Sequence, residues 1–121
     1  MIYRKLLVYK LAKSLTVDVY KLTQYMPKYE RYGIISQITR SAISIPSNIA
    51  EGSGRKSLKE QIYFIEVAYG SLMELSCQLE IALELNYISE QQYDEINKRI
   101  HDLAIRLYNY KEYKQKSIAS Q

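Results

Sequence analysis

At 121 residues, with 47% hydrophobic and 25% charged side chains, the chain has the size and composition of one globular domain rather than of a disordered segment. Four glycines and two prolines are too few for an architecture of many hairpins, and a single cysteine, Cys77, excludes an intrachain disulfide. A net charge of +4, from 17 basic and 13 acidic groups, permits nucleic acid as a partner without requiring it.

The N-terminal run MIYRKLLVYKLAK is interrupted by Lys10 and Lys13 and lacks the long apolar core and small-residue cleavage site of a signal peptide. No stretch of about eighteen apolar residues occurs, so no membrane span is expected. The lone cysteine suits a reducing compartment, and a cytoplasmic location is expected.

In chain order, Val8, Leu11, Leu15, Val19, Leu22 and Met26 recur at helical spacing and predict a first helix over about 3–26. Pro27 breaks it. Ile34, Ile38, Ala42, Ile45 and Ile49 then predict a second helix over 30–53, closed by Gly52 and Gly54. Pro46 lies inside this helix, where it removes one backbone hydrogen bond and is expected to bend the axis. Ser57-Leu-Lys-Glu60 has the form of a capping box opening a third helix over 57–86, with Asn86 as its C-terminal cap. This helix carries two apolar stripes: Ile62, Ile65, Tyr69, Leu72, Leu79 and Leu83, and beside them Phe64, Ala68, Leu75 and Ala82. A second box, Ser89-Glu-Gln-Gln92, opens the last helix over 89–114, whose core face is Tyr93, Ile96, Ile100, Leu103, Leu107 and Tyr110. A polar, frayed tail is expected over 116–121. Short connections make neighbours antiparallel, so the expected fold is all-α: one up-down-up-down four-helix bundle spanning 1–121. One buried face suffices for a helix of a monomeric bundle. The double stripe of the third helix, and 13 tyrosines beside a single Phe and no Trp, therefore predict a further partner surface and a homo-oligomer.

The residues that could carry chemistry do not assemble into a site. His101 is the only histidine, on a flank beside Asn97 and Tyr108, and reads as a surface or interface residue. Cys77 sits between Ser76 and Gln78 with no neighbour to activate it, and reads as a structural thiol. A di-iron bundle needs Glu-x-x-His on two helices, but Lys98 stands where the glutamate before His101 would be. Zinc lacks ligands. Gly52-Ser-Gly-Arg-Lys-Ser57 has the wrong glycine spacing for a phosphate loop. The reading is therefore a non-enzyme with no metal and no cofactor.

Polar residues on apolar faces are more informative. Ser71, Glu74 and Gln78 line one side of the third helix among leucines. Arg40, Asn48 and Glu51 lie near Ile45 and Ile49 in the second. Buried polar groups need partners, so these are expected to meet across a helix or subunit interface. Gly70, which costs a helix about 1 kcal/mol relative to Ala, is expected to admit a close backbone approach.

The stretches Gln37-Ile-Thr-Arg-Ser-Ala-Ile-Ser-Ile-Pro-Ser-Asn-Ile-Ala-Glu-Gly52 and Ser57-Leu-Lys-Glu-Gln-Ile-Tyr-Phe-Ile-Glu-Val-Ala-Tyr-Gly-Ser-Leu-Met-Glu-Leu75 resemble the bacterial four-helix bundle family of 23S ribosomal-RNA intervening-sequence proteins. The likeness covers nearly the whole chain, including the Pro27 and Asn86-Tyr87 junctions. It implies a four-helix bundle assembling as a homopentamer. It also implies kinship with the accessory protein of diversity-generating retroelements, a basic pentamer that binds nucleic acid and a reverse transcriptase. Pro46 and Gly52 belong to the most specific run of this signature. Thr39 stands where the family often has a basic residue, and Ser76 and Cys77 replace the usual Glu and Thr.

Lys10, Lys13 and Lys21 fall on one arc opposite the apolar face of the first helix. Lys111, Lys114 and Lys116 interleave with tyrosines at the end of the last. Antiparallel packing would bring these near Arg4 and Lys5 as one patch. Five copies would carry roughly +20 of charge, five times the +4 of one chain, which raises avidity for RNA or DNA. The expected function is thus a non-enzymatic oligomer that binds nucleic acid through basic faces. The alternative is a protein-binding assembly adaptor for a mobile-element or reverse-transcriptase partner.

Overall fold

The computed structural model describes residues 2–119. After a 3₁₀ turn at Ile2–Lys5, four helices follow: α1 Leu7–Thr23, α2 Ile34–Ser53, α3 Leu58–Glu84 and α4 Glu90–Ala119. A second 3₁₀ turn, Lys28–Glu30, lies in the first connection. Each helix packs on its chain neighbours, and α1 closes on α4. The backbones of the diagonal pairs do not come close among the described residues, and side chains of all four helices meet in one core. This closed antiparallel ring is the up-down-up-down bundle.

Helix ends follow local chemistry and correct the expected bounds. Leu6 is extended, so α1 begins at Leu7 rather than near residue 3. The turn over 28–30 and Gly33 delay α2 from 30 to Ile34, whose amide donates to the Glu30 carboxylate at 3.4 Å. Ser57 Oγ accepts from the Glu60 amide at 3.1 Å, half of a capping box. The Ser89 box is complete: Ser89 Oγ accepts from the Gln92 amide (3.1 Å) and Gln92 Oε1 from the Ser89 amide (2.9 Å). Past α3, Asn86 takes the left-handed conformation (φ 61°). The Tyr87 amide donates to the Ala82 carbonyl and the Asn86 amide to Leu83, a Schellman close. The expected tail is instead helical through residue 119. Residues 120 and 121 lie outside the described residues.

The core holds Leu15, Val19, Ile38, Ile45, Leu72, Leu75, Leu79, Leu103 and Leu107, all fully buried. Both stripes of α3 turn inward, because α3 packs on both α2 and α4. Ala68, Leu75 and Ala82 are as buried as Leu72 and Leu79. The second stripe is therefore not surplus surface, which corrects the reason given for a further partner face. Gly52 is also reassigned: it lies within α2, where a Cβ would stand 2.8 Å from Phe64 Cβ, and Gly54 caps the helix.

α2 runs unbroken through Pro46. Proline has no amide hydrogen, so the carbonyl of Ala42, one turn earlier, lacks its helical donor. Thr16 of α1 replaces it. Its buried hydroxyl lies 3.0 Å from the Ala42 oxygen and 2.8 Å from the Ala12 oxygen of its own helix. The proline thus ties α1 to α2 through a side-chain hydrogen bond.

Candidate functional site

The basic residues of α1 lie along a solvent-facing surface. Arg4 joins Lys10 and Lys13 around a surface cavity of about 480 Å³. Lys21 lies further along, in a cavity of about 370 Å³ on the α1–α4 seam, beside Tyr25 and Glu95. Asp18 borders both cavities. Arg99 of α4 holds its carboxylate in an ion pair and also donates to Ser14 Oγ at 3.1 Å. Such an exposed pair adds little stability, but it cancels the acid of α1 and leaves the face net positive.

The remaining candidate cations are dispersed. Lys5 is exposed in the first turn. Lys111 lies over the Tyr108 ring (5.6 Å) and opens onto a groove between α3 and α4. Lys114 donates to Gln61 Oε1 of α3 at 2.7 Å and lies 5.0 Å from the Tyr110 ring. Burial lowers its pKa below the usual lysine value. Lys116 is exposed in the last turn of α4. These residues share one end of the bundle but face different seams, whereas Arg4, Lys10 and Lys13 share one cavity.

The polar residues divide similarly. Ser71 is buried, and its hydroxyl lies 2.8 Å from that of Ser44 in α2. Asn48 Nδ2 donates to the Ser44 carbonyl (2.8 Å) and to its Oγ (2.9 Å). Ser44 joins the two expected partners and was itself missed. Its only sequence signal is its place one turn before Asn48. Gln78 buries its Oε1 with no donor among the described residues. Glu74 and Arg40 are exposed and stand outside this cluster. Glu51 pairs with Arg55, its neighbour one turn on.

On the α3–α4 side, Gly70 is exposed, and a Cβ there would meet nothing within 4 Å. Within the subunit it admits no close approach, contrary to expectation. It borders a cavity of about 300 Å³ with Ile65, Tyr69 and Tyr108. A second hollow of about 330 Å³ follows, lined by Met73, His101, Ile105 and Tyr108. Met73, Ile81, Ile105 and Tyr108 are exposed here, which makes this seam the apolar outer face of α3 and α4. His101 and Cys77 are both exposed; Cys77 borders a third hollow on the same side and is not a core thiol. Among the described residues no group of three or more His, Cys, Asp or Glu could hold a metal ion, and no helix is long and apolar enough to cross a membrane.

Four amphipathic helices closed in this ring define an all-α four-helix bundle protein. The chain belongs to the 23S rRNA-intervening sequence protein family, whose model matches residues 4–109. It is similar in fold to a crystal structure of a protein of unknown function from the S23 ribosomal protein family of Bacteroides thetaiotaomicron. The two share 24% identity and a TM-score of 0.78, over 86% of this chain and 97% of that one. No curated protein matches.

Proposed function

We propose that the protein is a non-enzymatic bundle that self-associates through its α3–α4 face and binds nucleic acid through the basic face of α1. The observation that carries this reading is the division of the outer surface. Arg4, Lys10 and Lys13 crowd one cavity on α1, while Met73, Ile81, Ile105 and Tyr108 leave an apolar seam between α3 and α4. Exposed apolar surface of this kind favours a protein contact. Clustered cations with their one acid neutralised favour phosphate. A few phosphate contacts per subunit bind weakly and are lost with salt, so assembly supplies the avidity. A homopentamer, as the family resemblance implies, would repeat the α1 face five times.

The test measures the mass of the native particle and its affinity for a structured RNA across a salt series. Log affinity should fall linearly with log salt, and charge reversal at Lys10 and Lys13 should flatten that slope. A monomeric particle, or a slope unaffected by the reversal, overturns the reading. The apolar seam equally suits a helix of another polypeptide, such as a mobile-element reverse transcriptase. Specific co-purification with no salt-sensitive RNA retention would favour that adaptor role.

A further inference from the structure

The connection between α1 and α2 reads Tyr25-Met-Pro-Lys-Tyr-Glu-Arg-Tyr32. Its three tyrosines are 71%, 74% and 90% exposed, an unusual placement for large rings in a chain with a well-filled core. The backbone beneath them is fixed. Met26 is buried in the core, and the Met26, Glu30, Arg31 and Gly33 amides each close a tight turn onto a carbonyl three residues back, at 2.9 to 3.1 Å. The rings are therefore displayed from a rigid segment.

We infer that this end of the bundle is a stacking platform for unpaired nucleic acid. Tyr29 is held by an edge contact to Tyr87, with ring centroids 6.4 Å apart at 70°, and by a hydroxyl contact of 3.3 Å. The Tyr87 hydroxyl donates to Glu30 at 2.7 Å, and the other Glu30 oxygen faces the Ile34 amide. The only acid of the segment is thus turned inward. Lys28 and Arg31 are exposed and make no ion pair among the described residues, and Lys21 joins Tyr25 in the adjoining cavity, whose carboxylates are Glu95 and the Asp18 that Arg99 holds. Cations interleaved with exposed aromatic faces match a strand that offers both phosphates and open bases. A duplex hides its base faces, so the rings discriminate against it. Stacking on aromatic side chains contributes about 1–3 kcal/mol per base. The inference rests on the nucleic-acid reading above and adds that the ligand is single-stranded or looped.

The test is fluorescence anisotropy of the full chain with labelled oligouridine and with an RNA duplex of equal length, each across a salt series. The wild type should favour oligouridine. Tyr25→Leu with Tyr29→Leu and Tyr32→Leu should weaken oligouridine binding at least tenfold and leave duplex affinity and both salt slopes unchanged. The corresponding phenylalanine triple should keep the affinity, because it keeps the rings. Tyr25→Leu with Tyr32→Leu, which spares the Tyr29–Tyr87 contact, guards against a folding effect and should lose part of it. Oligouridine binding unaffected by the leucine triple overturns the platform alone. Duplex and single strand bound equally do the same. No binding of either RNA overturns the nucleic-acid reading and the platform together. A co-purifying polypeptide lost with the leucine triple, again without RNA binding, reassigns the platform to a protein partner.

Discussion

Because Pro46 gives Ala42 no amide hydrogen, the fold depends on a hydroxyl from a different helix, and this dependence can be measured. Thr16→Val keeps the shape of the side chain and removes the donor 3.0 Å from the Ala42 oxygen. Ala42 is fully buried and its carbonyl has no helical partner, so the loss leaves an unsatisfied acceptor, at a cost of about 1–3 kcal/mol. For a chain of this size that lowers Tm by roughly 4–10 °C. Pro46→Ala restores an amide one turn after Ala42 and should stabilise α2, offset by the lost packing of the buried ring. In that background Thr16→Val should cost almost nothing, since the Ala42 carbonyl is paired again. The two substitutions should therefore couple by nearly that whole cost, about 1–3 kcal/mol. Urea unfolding followed by circular dichroism, at one protein concentration for all four proteins, gives the cycle. If Thr16→Val costs the same in both backgrounds to within about 0.3 kcal/mol, the hydroxyl does not replace the missing amide and the reasoning fails.

Two glycines separate packing from assembly. Gly52→Ala forces a methyl onto Phe64 Cβ and should destabilise the bundle by about 1–3 kcal/mol, read by the same unfolding assay. Gly70→Ala meets nothing within 4 Å, so it should raise the stability of the isolated subunit by up to about 1 kcal/mol. The same change should weaken self-association through the α3–α4 face, seen as a lower particle mass on dilution; an unchanged mass would argue that this face packs nothing. Alkaline stability tests the Tyr29–Tyr87–Glu30 cluster. Hydrogen bonding with Tyr29 and to the Glu30 carboxylate, with burial, raises the Tyr87 pKa above its ordinary 10.0, so the folded state keeps a phenol proton that the unfolded chain loses. Stability should hold below about pH 10 and fall as pH rises beyond it. Tyr87→Phe should make that fall shallower, and an equally steep fall in the variant would exclude the cluster as its source.

The sequence by itself determined the helices and their inward faces. Apolar residues at helical spacing placed Leu15, Ile45, Leu72 and Leu103 in the core, because a helix presents one side for burial whatever packs against it. The two serine boxes and Asn86 marked helix ends through backbone hydrogen bonding that is local to each turn. Only the tertiary structure decided that neither apolar stripe of α3 is spare, because a helix wedged between two neighbours buries two faces, and periodicity does not count neighbours. It likewise decided that Gly52 rather than Gly70 is the tight approach, and that Asp18 belongs to Arg99, 81 residues away. The same holds for Thr16 and Pro46. Each looks ordinary along the chain, and their connection exists because folding brings the hydroxyl of one helix to the carbonyl that the other left without a donor.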